Sequence, residues 1–199
     1  MEVPNAPKAE LEVTFDVADF STKYRSDESI ATRNETQRSS TELKFVELPT
    51  IKGKKNETYV EGKLTVKRGG HLKIYYHQPL DVCGYHFNGR QHIRINLKAR
   101  PHSVSHDSVW SMSLDTEYLM LVLEPEGLEF LKPVELSIET QNIDLSGLDL
   151  ATIGLYYYNE DENNWELMEP TKLDVNIDKG CIKGYWHIYH FSRYAVASR

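Results

Sequence analysis

The stretch His92-Ile93-Arg94-Ile95-Asn96-Leu97-Lys98 decides the class of this chain. Ile93, Ile95 and Leu97 fall on one side of an extended backbone and His92, Arg94, Asn96 and Lys98 on the other, the two-residue period of a strand with one buried and one wet face. The same period recurs outward from it. Upstream, Tyr59 to Val66 is followed by Gly69-Gly70, a pair suited to a hairpin turn with positive φ, and then by His71-Leu72-Lys73-Ile74-Tyr75-Tyr76. Between that strand and the reference stretch lies a polar, histidine-bearing excursion from His77 to Gln91. Downstream, strands are expected at Val109 to Leu114, Leu119 to Leu123, Pro133 to Ile138, Ile153 to Tyr158, Trp165 to Met168, Leu173 to Ile177, Cys181 to Ile188 and Tyr194 to Val196. About ten strands at this spacing predict an all-β fold, an antiparallel β-sandwich. The single place for a short helix or 3₁₀ turn is Leu145 to Ala151, a connector.

In Leu128 to Ile138, Pro133 has no amide hydrogen to give to a ladder, so the chain should turn or sit at an edge at Lys132-Pro133 and the strand proper should begin after it. Val134, Leu136 and Ile138 would then face the core, each contributing ~1.5 to 3 kcal/mol when fully buried. At the amino end, Leu11, Val13, Phe15 and Val17 alternate as one more strand, but Ser21 to Glu42 carries too little apolar surface to offset the entropy of ordering it. The expected organisation is therefore residues 1–55 as an N-terminal strand and mobile polar linker, and residues 56–199 as the sandwich.

Composition narrows the function classes. In 199 residues, 40% hydrophobic and 27% charged is an ordinary globular balance, which excludes wholesale disorder and collagen. Thirty acidic against 23 basic residues give a net charge of -7, which argues against nucleic acid as a partner. No apolar run approaches the ~20 residues of a membrane-spanning helix. Met1-Glu2-Val3-Pro4-Asn5-Ala6-Pro7-Lys8 has no basic start followed by an apolar stretch, so no signal peptide is expected. Cys83 and Cys181 are too few for a four-thiolate zinc site; they are either a disulfide, if the protein is exported, or two free thiols. Asn34-Glu35-Thr36 and Asn56-Glu57-Thr58 match the glycosylation sequon.

Small-molecule catalysis finds no foothold: there is no G-x-S-x-G elbow, phosphate-cradling loop or dinucleotide fingerprint. His71, His77, His86 and His92 fall close together, with His102 and His106 behind, but no H-x-H pair or HExxH accompanies them. Ordinary surface or hydrogen-bonded histidines are the expectation, and neither metal nor cofactor. Asn159-Glu160-Asp161-Glu162-Asn163-Asn164 reads as a hairpin tip rather than a calcium loop, since it lacks the glycine and the terminal bidentate Glu of an EF-hand. Trp110, Trp165 and Trp186 with twelve tyrosines are either sandwich core or a sugar-stacking platform.

Four segments in order resemble one family. Leu123-Glu124-Pro125-Glu126-Gly127-Leu128-Glu129-Phe130-Leu131-Lys132-Pro133-Val134 is similar to the central signature of domains related to the ZU-five domain of zona occludens proteins and netrin receptors, a sandwich also carried by bacterial surface proteins. Gly69-Gly70-His71-Leu72 resembles its opening strand, Tyr156-Tyr157-Tyr158-Asn159 to Trp165 its aromatic hairpin, and His190-Phe191-Ser192-Arg193-Tyr194-Ala195-Val196 its closing His-Phe-Ser strand. The resemblance spans Val60 to Val196. It departs at Ala99-Arg100-Pro101-His102, where the family has Pro-Pro-Gly-Ala.

The resemblance implies a noncatalytic structural or protein-interaction module of a cell-envelope or secreted protein. It also implies a second possibility, since some relatives with His-Phe-Ser cut themselves before the serine. Carried over, the Ser192 hydroxyl would attack the Phe191 carbonyl carbon, the Phe191–Ser192 C–N bond would break as an ester forms, and water would release Phe191 as a carboxylate. His190 would accept the hydroxyl proton, and strain in the peptide would have to help. On the expected strand His190 and Ser192 share a face ~7 Å apart; the alternative to cleavage is that the three residues simply form the last strand, with Phe191 buried and the polar pair at the surface. A carbohydrate-binding module is the third possibility.

Overall fold

The computed structural model describes residues 42–48, 58–79, 90–115 and 117–199. The expected first strand at Leu11 to Val17, most of the polar linker, the sequon asparagines Asn34 and Asn56, and Cys83 and His86 lie outside the described residues. Twelve strands follow one another: β1 (Lys44–Phe45), β2 (Tyr59–Leu64), β3 (Gly70–Pro79), β4 (Arg90–Ala99), β5 (Ser108–Leu114), β6 (Met120–Glu124), β7 (Glu129–Gln141), β8 (Gly154–Asn159), β9 (Asn164–Leu167), β10 (Lys172–Asn176), β11 (Cys181–His190) and β12 (Arg193–Ser198). No helix occurs among the described residues, and hence none there is long and apolar enough to cross a membrane.

The strands form two antiparallel sheets. One runs β10-β11-β7-β4-β3; the other runs β2-β5-β6-β12-β8-β9, with β1 added alongside β12. Lys44–Phe45, from the segment expected to precede the sandwich, is thus part of it, paired with Ser198 and Ala197. The alternation read from the sequence is the packing between the layers. Ile93, Ile95 and Leu97 of β4 and Val134, Leu136 and Ile138 of β7 meet Met112, Leu121 and Leu123 of the other sheet in one buried core. Central β12 is buried along nearly its whole length, Tyr194 to Ser198, which is why its sequence does not alternate.

Three local expectations are corrected. First, Pro133 lies inside β7, a central strand, rather than before it. The missing donor is accommodated by a lapse in the ladder: pairing with β4 ends at Glu135, and pairing with β11 jumps from Val134 to Glu129 at a register shift. Proline sits where no amide hydrogen is required. Second, the excursion expected from His77 to Gln91 is shorter, because β3 continues to Pro79 and β4 begins at Arg90, with His77 opposite His92. Third, Leu145 to Ala151 is the expected connector but is built of separate turns, closed by Leu148 N on Leu145 O and Thr152 N on Asp149 O, and not of a helix. Asp144 and Asp149 carboxylates accept from the Ser146 and Ala151 amides at 2.8 and 2.9 Å, side-chain bonds that compete with helical ones.

More of the connections change layer than join neighbouring strands. Gly69, at φ +72°, closes a small bridge with Thr65, but β2 and β3 then enter different sheets, so the double glycine makes a corner and not a hairpin. At the end of Ala99-Arg100-Pro101-His102, His102 takes a left-handed φ of 62° and its amide donates to Val66 O at 2.7 Å. The Asn159–Asn164 tip is the expected hairpin turn between β8 and β9, held by the Asp161 and Glu162 amides on Asn159 Oδ1.

Candidate functional site

His190, Phe191 and Ser192 do not form a last strand. β11 ends at His190 in the five-stranded sheet and β12 starts at Arg193 in the seven-stranded one, so Phe191 and Ser192 carry the chain from layer to layer. An aromatic residue suits this passage because it must cross the core. The Phe191 ring is 1% exposed, stacked on Trp110 (centroids 5.8 Å, planes 8° apart) and edge-on to Phe130 at 5.0 Å.

The backbone of this corner is bonded at four points. The Phe191 amide donates to Leu128 O at 2.9 Å, and the Gly127 amide donates to Phe191 O at 3.1 Å. The Leu123 amide donates to Ser192 O at 3.2 Å. The Tyr194 hydroxyl reaches back four residues to His190 O at 2.6 Å, the bond of a tyrosine corner. Burial holds the Tyr194 hydroxyl above its ordinary pKa, so it stays a donor. Thus the Pro125-Glu126-Gly127-Leu128 segment, quoted above for its resemblance, is the cradle into which the corner locks. Gly127 was legible as a bend; Leu128, Tyr158 and Tyr194 carried no sequence signal of their role.

Ser192 is buried at 6% exposure, not at the surface. Its hydroxyl donates to Tyr158 O at 2.9 Å. The His190 ring packs edge-on against Tyr157 at 5.4 Å, and among the described residues no hydrogen bond joins it to Ser192. The Tyr157 hydroxyl donates to Glu166 at 2.6 Å, and that carboxylate pushes its pKa up to about 12. Beside the corner, Arg193 pairs with Glu160 at 2.8 Å and lies over the Tyr158 ring. Glu160 also hydrogen-bonds Glu126, which raises Glu126 and lowers Glu160.

Chemically, the corner has one element of an acyl-transfer site: the Gly127 amide points at the oxygen on which negative charge would develop. The other elements are not assembled. A carbonyl is the partner of the nucleophile, not a base, and left-handed backbone among the described residues falls at positions other than Phe191 and Ser192.

The remaining candidates are dispersed. Trp110 and Trp186 are core residues at 1% exposure and cannot form a sugar platform, while Trp165 packs between Phe45 and Tyr158. The Cys181 thiol donates to Lys179 O at 3.3 Å; Cys83 lies outside the described residues. His106 bonds Ser105, whereas His77 and His92 converge at 2.7 Å between Nδ1 atoms. Among the described residues no cluster of three or more His, Cys, Asp or Glu side chains surrounds one point. Two open surface depressions, of about 440 and 400 Å³, lie beside Phe45 and Tyr59 respectively. No protein-family model and no curated protein matches the sequence.

Proposed function

We propose that the chain is a noncatalytic β-sandwich module of the ZU-five-like kind, serving a cell-envelope or secreted protein as a structural or protein-interaction domain. The observation that carries this reading is the occupation of the corner: Ser192 Oγ is spent on Tyr158 O, Phe191 fills the core, and its carbonyl and amide are bonded to Gly127 and Leu128. The segments behind the family resemblance take positions that bear weight in such a sandwich. Gly69-Gly70 turns the chain between layers, Pro125 to Leu128 cradles the corner, and Tyr156 to Trp165 forms a hairpin.

Self-cleavage between Phe191 and Ser192 is the second reading, and the Gly127 amide on the Phe191 carbonyl is what favours it. Intact-mass analysis of the full chain, after prolonged incubation and under denaturing conditions, separates the two. Denaturation is necessary because β12 is an interior strand that would keep a cut piece bound. One mass of 23.0 kDa is expected. Release of Ser192–Arg199 that Ser192→Ala abolishes would overturn the noncatalytic reading.

A further inference from the structure

We propose that His77 and His92 form a two-imidazole chelating site for a divalent transition-metal ion on the outer face of the five-stranded sheet. The two residues are direct cross-strand partners on β3 and β4, so their side chains leave the same face from neighbouring positions. Their Nδ1 atoms approach to 2.7 Å, with ring centroids 4.7 Å apart and ring planes at 79°. Two imidazole nitrogens this close are either donor and acceptor to each other or, after a small rotation, joint ligands of an ion. Metal–nitrogen bonds of ~2.0–2.1 Å at angles between square and tetrahedral place the two nitrogens roughly 2.9–3.4 Å apart. Converting the first arrangement into the second therefore needs side-chain rotation that parts the two nitrogens by ~0.2–0.7 Å, the larger value for a tetrahedral ion.

The surroundings suit an ion that keeps part of its hydration. His77 is exposed and His92 half-buried, so water has access to the remaining coordination positions. The backbone beneath is rigid, because β4 is held between β3 and β7, with His92 opposite Gln141. The Arg94 cation, two residues along the same face, is drawn over the Tyr75 ring at 5.5 Å. Imidazole ligands select copper, nickel and zinc over calcium and magnesium, and affinity should follow the order Cu²⁺ above Ni²⁺ and Zn²⁺.

The test is calorimetric titration of the full chain with ZnCl₂, repeated with CaCl₂, together with ¹H–¹⁵N spectra of the imidazole rings. One zinc per chain should bind, the His77 and His92 ring signals should shift, and calcium should not bind. His77→Ala and His92→Ala should each weaken zinc on the order of tenfold or more, since a single imidazole then replaces a chelate. The ring spectra of the unaltered chain give the answer even where a variant folds poorly. Cys83→Ser with His86→Ala, in the connection between the two strands, should leave binding intact. The proposal is overturned by an absence of saturable zinc binding, by binding that survives both single histidine variants, or by binding that the Cys83 and His86 variant abolishes. The pair would then be hydrogen-bonded imidazoles only.

Discussion

Replacing Gly184 by alanine should destabilise the sandwich by about 3 kcal/mol, at the top of the usual range for overpacking. A methyl group built on Gly184 lies 1.9, 2.4 and 2.7 Å from three carbons of the Trp186 ring, which folds back over its own strand. Carbon atoms settle ~3.5–4.0 Å apart, so the ring or the strand has to yield by more than ~1 Å. Neither has room. Trp186 is 1% exposed, and Gly184 is clamped between Ile138 of β7 and Leu173 of β10. Overpacking of ~1–3 kcal/mol sets the lower bound, and complete loss of the indole's packing, ~3–5 kcal/mol, sets the upper. Urea unfolding followed by circular dichroism gives the free energy directly, and Tm should fall by ~6–12 °C for a domain of this size. A double-mutant cycle isolates the cause: in a Trp186→Leu background the same glycine change should cost at least ~1 kcal/mol less. An equal cost in both backgrounds, or a loss below ~0.5 kcal/mol in the parent chain, would refute the clash as the reason for glycine here.

Phe191→Ala should cost ~3–5 kcal/mol in urea unfolding, because a cavity opens between Trp110 and Phe130; a loss under ~1 kcal/mol would place the ring outside the core. Ser192→Ala should cost ~1–2 kcal/mol, since the buried Tyr158 carbonyl loses its hydroxyl partner; unchanged thermal stability would show that the bond is not made. Acid should weaken the fold. Hydrogen bonds from Arg100 and Lys183 hold Glu135 and Glu139 below their ordinary 4.5, so their contribution is complete above that value and drains away as pH falls through the lowered folded values. Glu126, raised by its bond with Glu160, acts in the opposite sense and makes the loss partial. Tm should decline from about pH 5 to pH 3, and less steeply in Glu135→Gln/Glu139→Gln; a Tm that rises on acidification contradicts this.

The layer architecture was legible because each strand of the five-stranded sheet has one wet face, and a period of two is the direct imprint of that burial. β4 and the second half of β7 show it best. β12 was legible only as an apolar run, since burial on both faces removes the alternation. The misplaced ends have a common cause: polarity was read as loop. His77 and His92 are polar yet lie within paired strand, because the outer face of a sheet tolerates them. Pro133 was read through its missing donor, correctly for the ladder but not for the strand, which continues past the lapse in pairing. The His190–Ser192 corner was beyond reach of local pattern. Whether residues two apart share a face or straddle two sheets depends on partners such as Leu128 and Leu123, more than sixty residues upstream.

Amide hydrogen exchange at Gly127 and Phe191 probes the corner most directly. With the Phe191 amide bonded to Leu128 O and the Gly127 amide bonded to Phe191 O, both should exchange only through global unfolding, with an opening free energy equal to that from urea. Exchange of both at the rate of an open loop would contradict a locked joint between the sheets and would leave the Phe191 carbonyl free to meet the Ser192 hydroxyl.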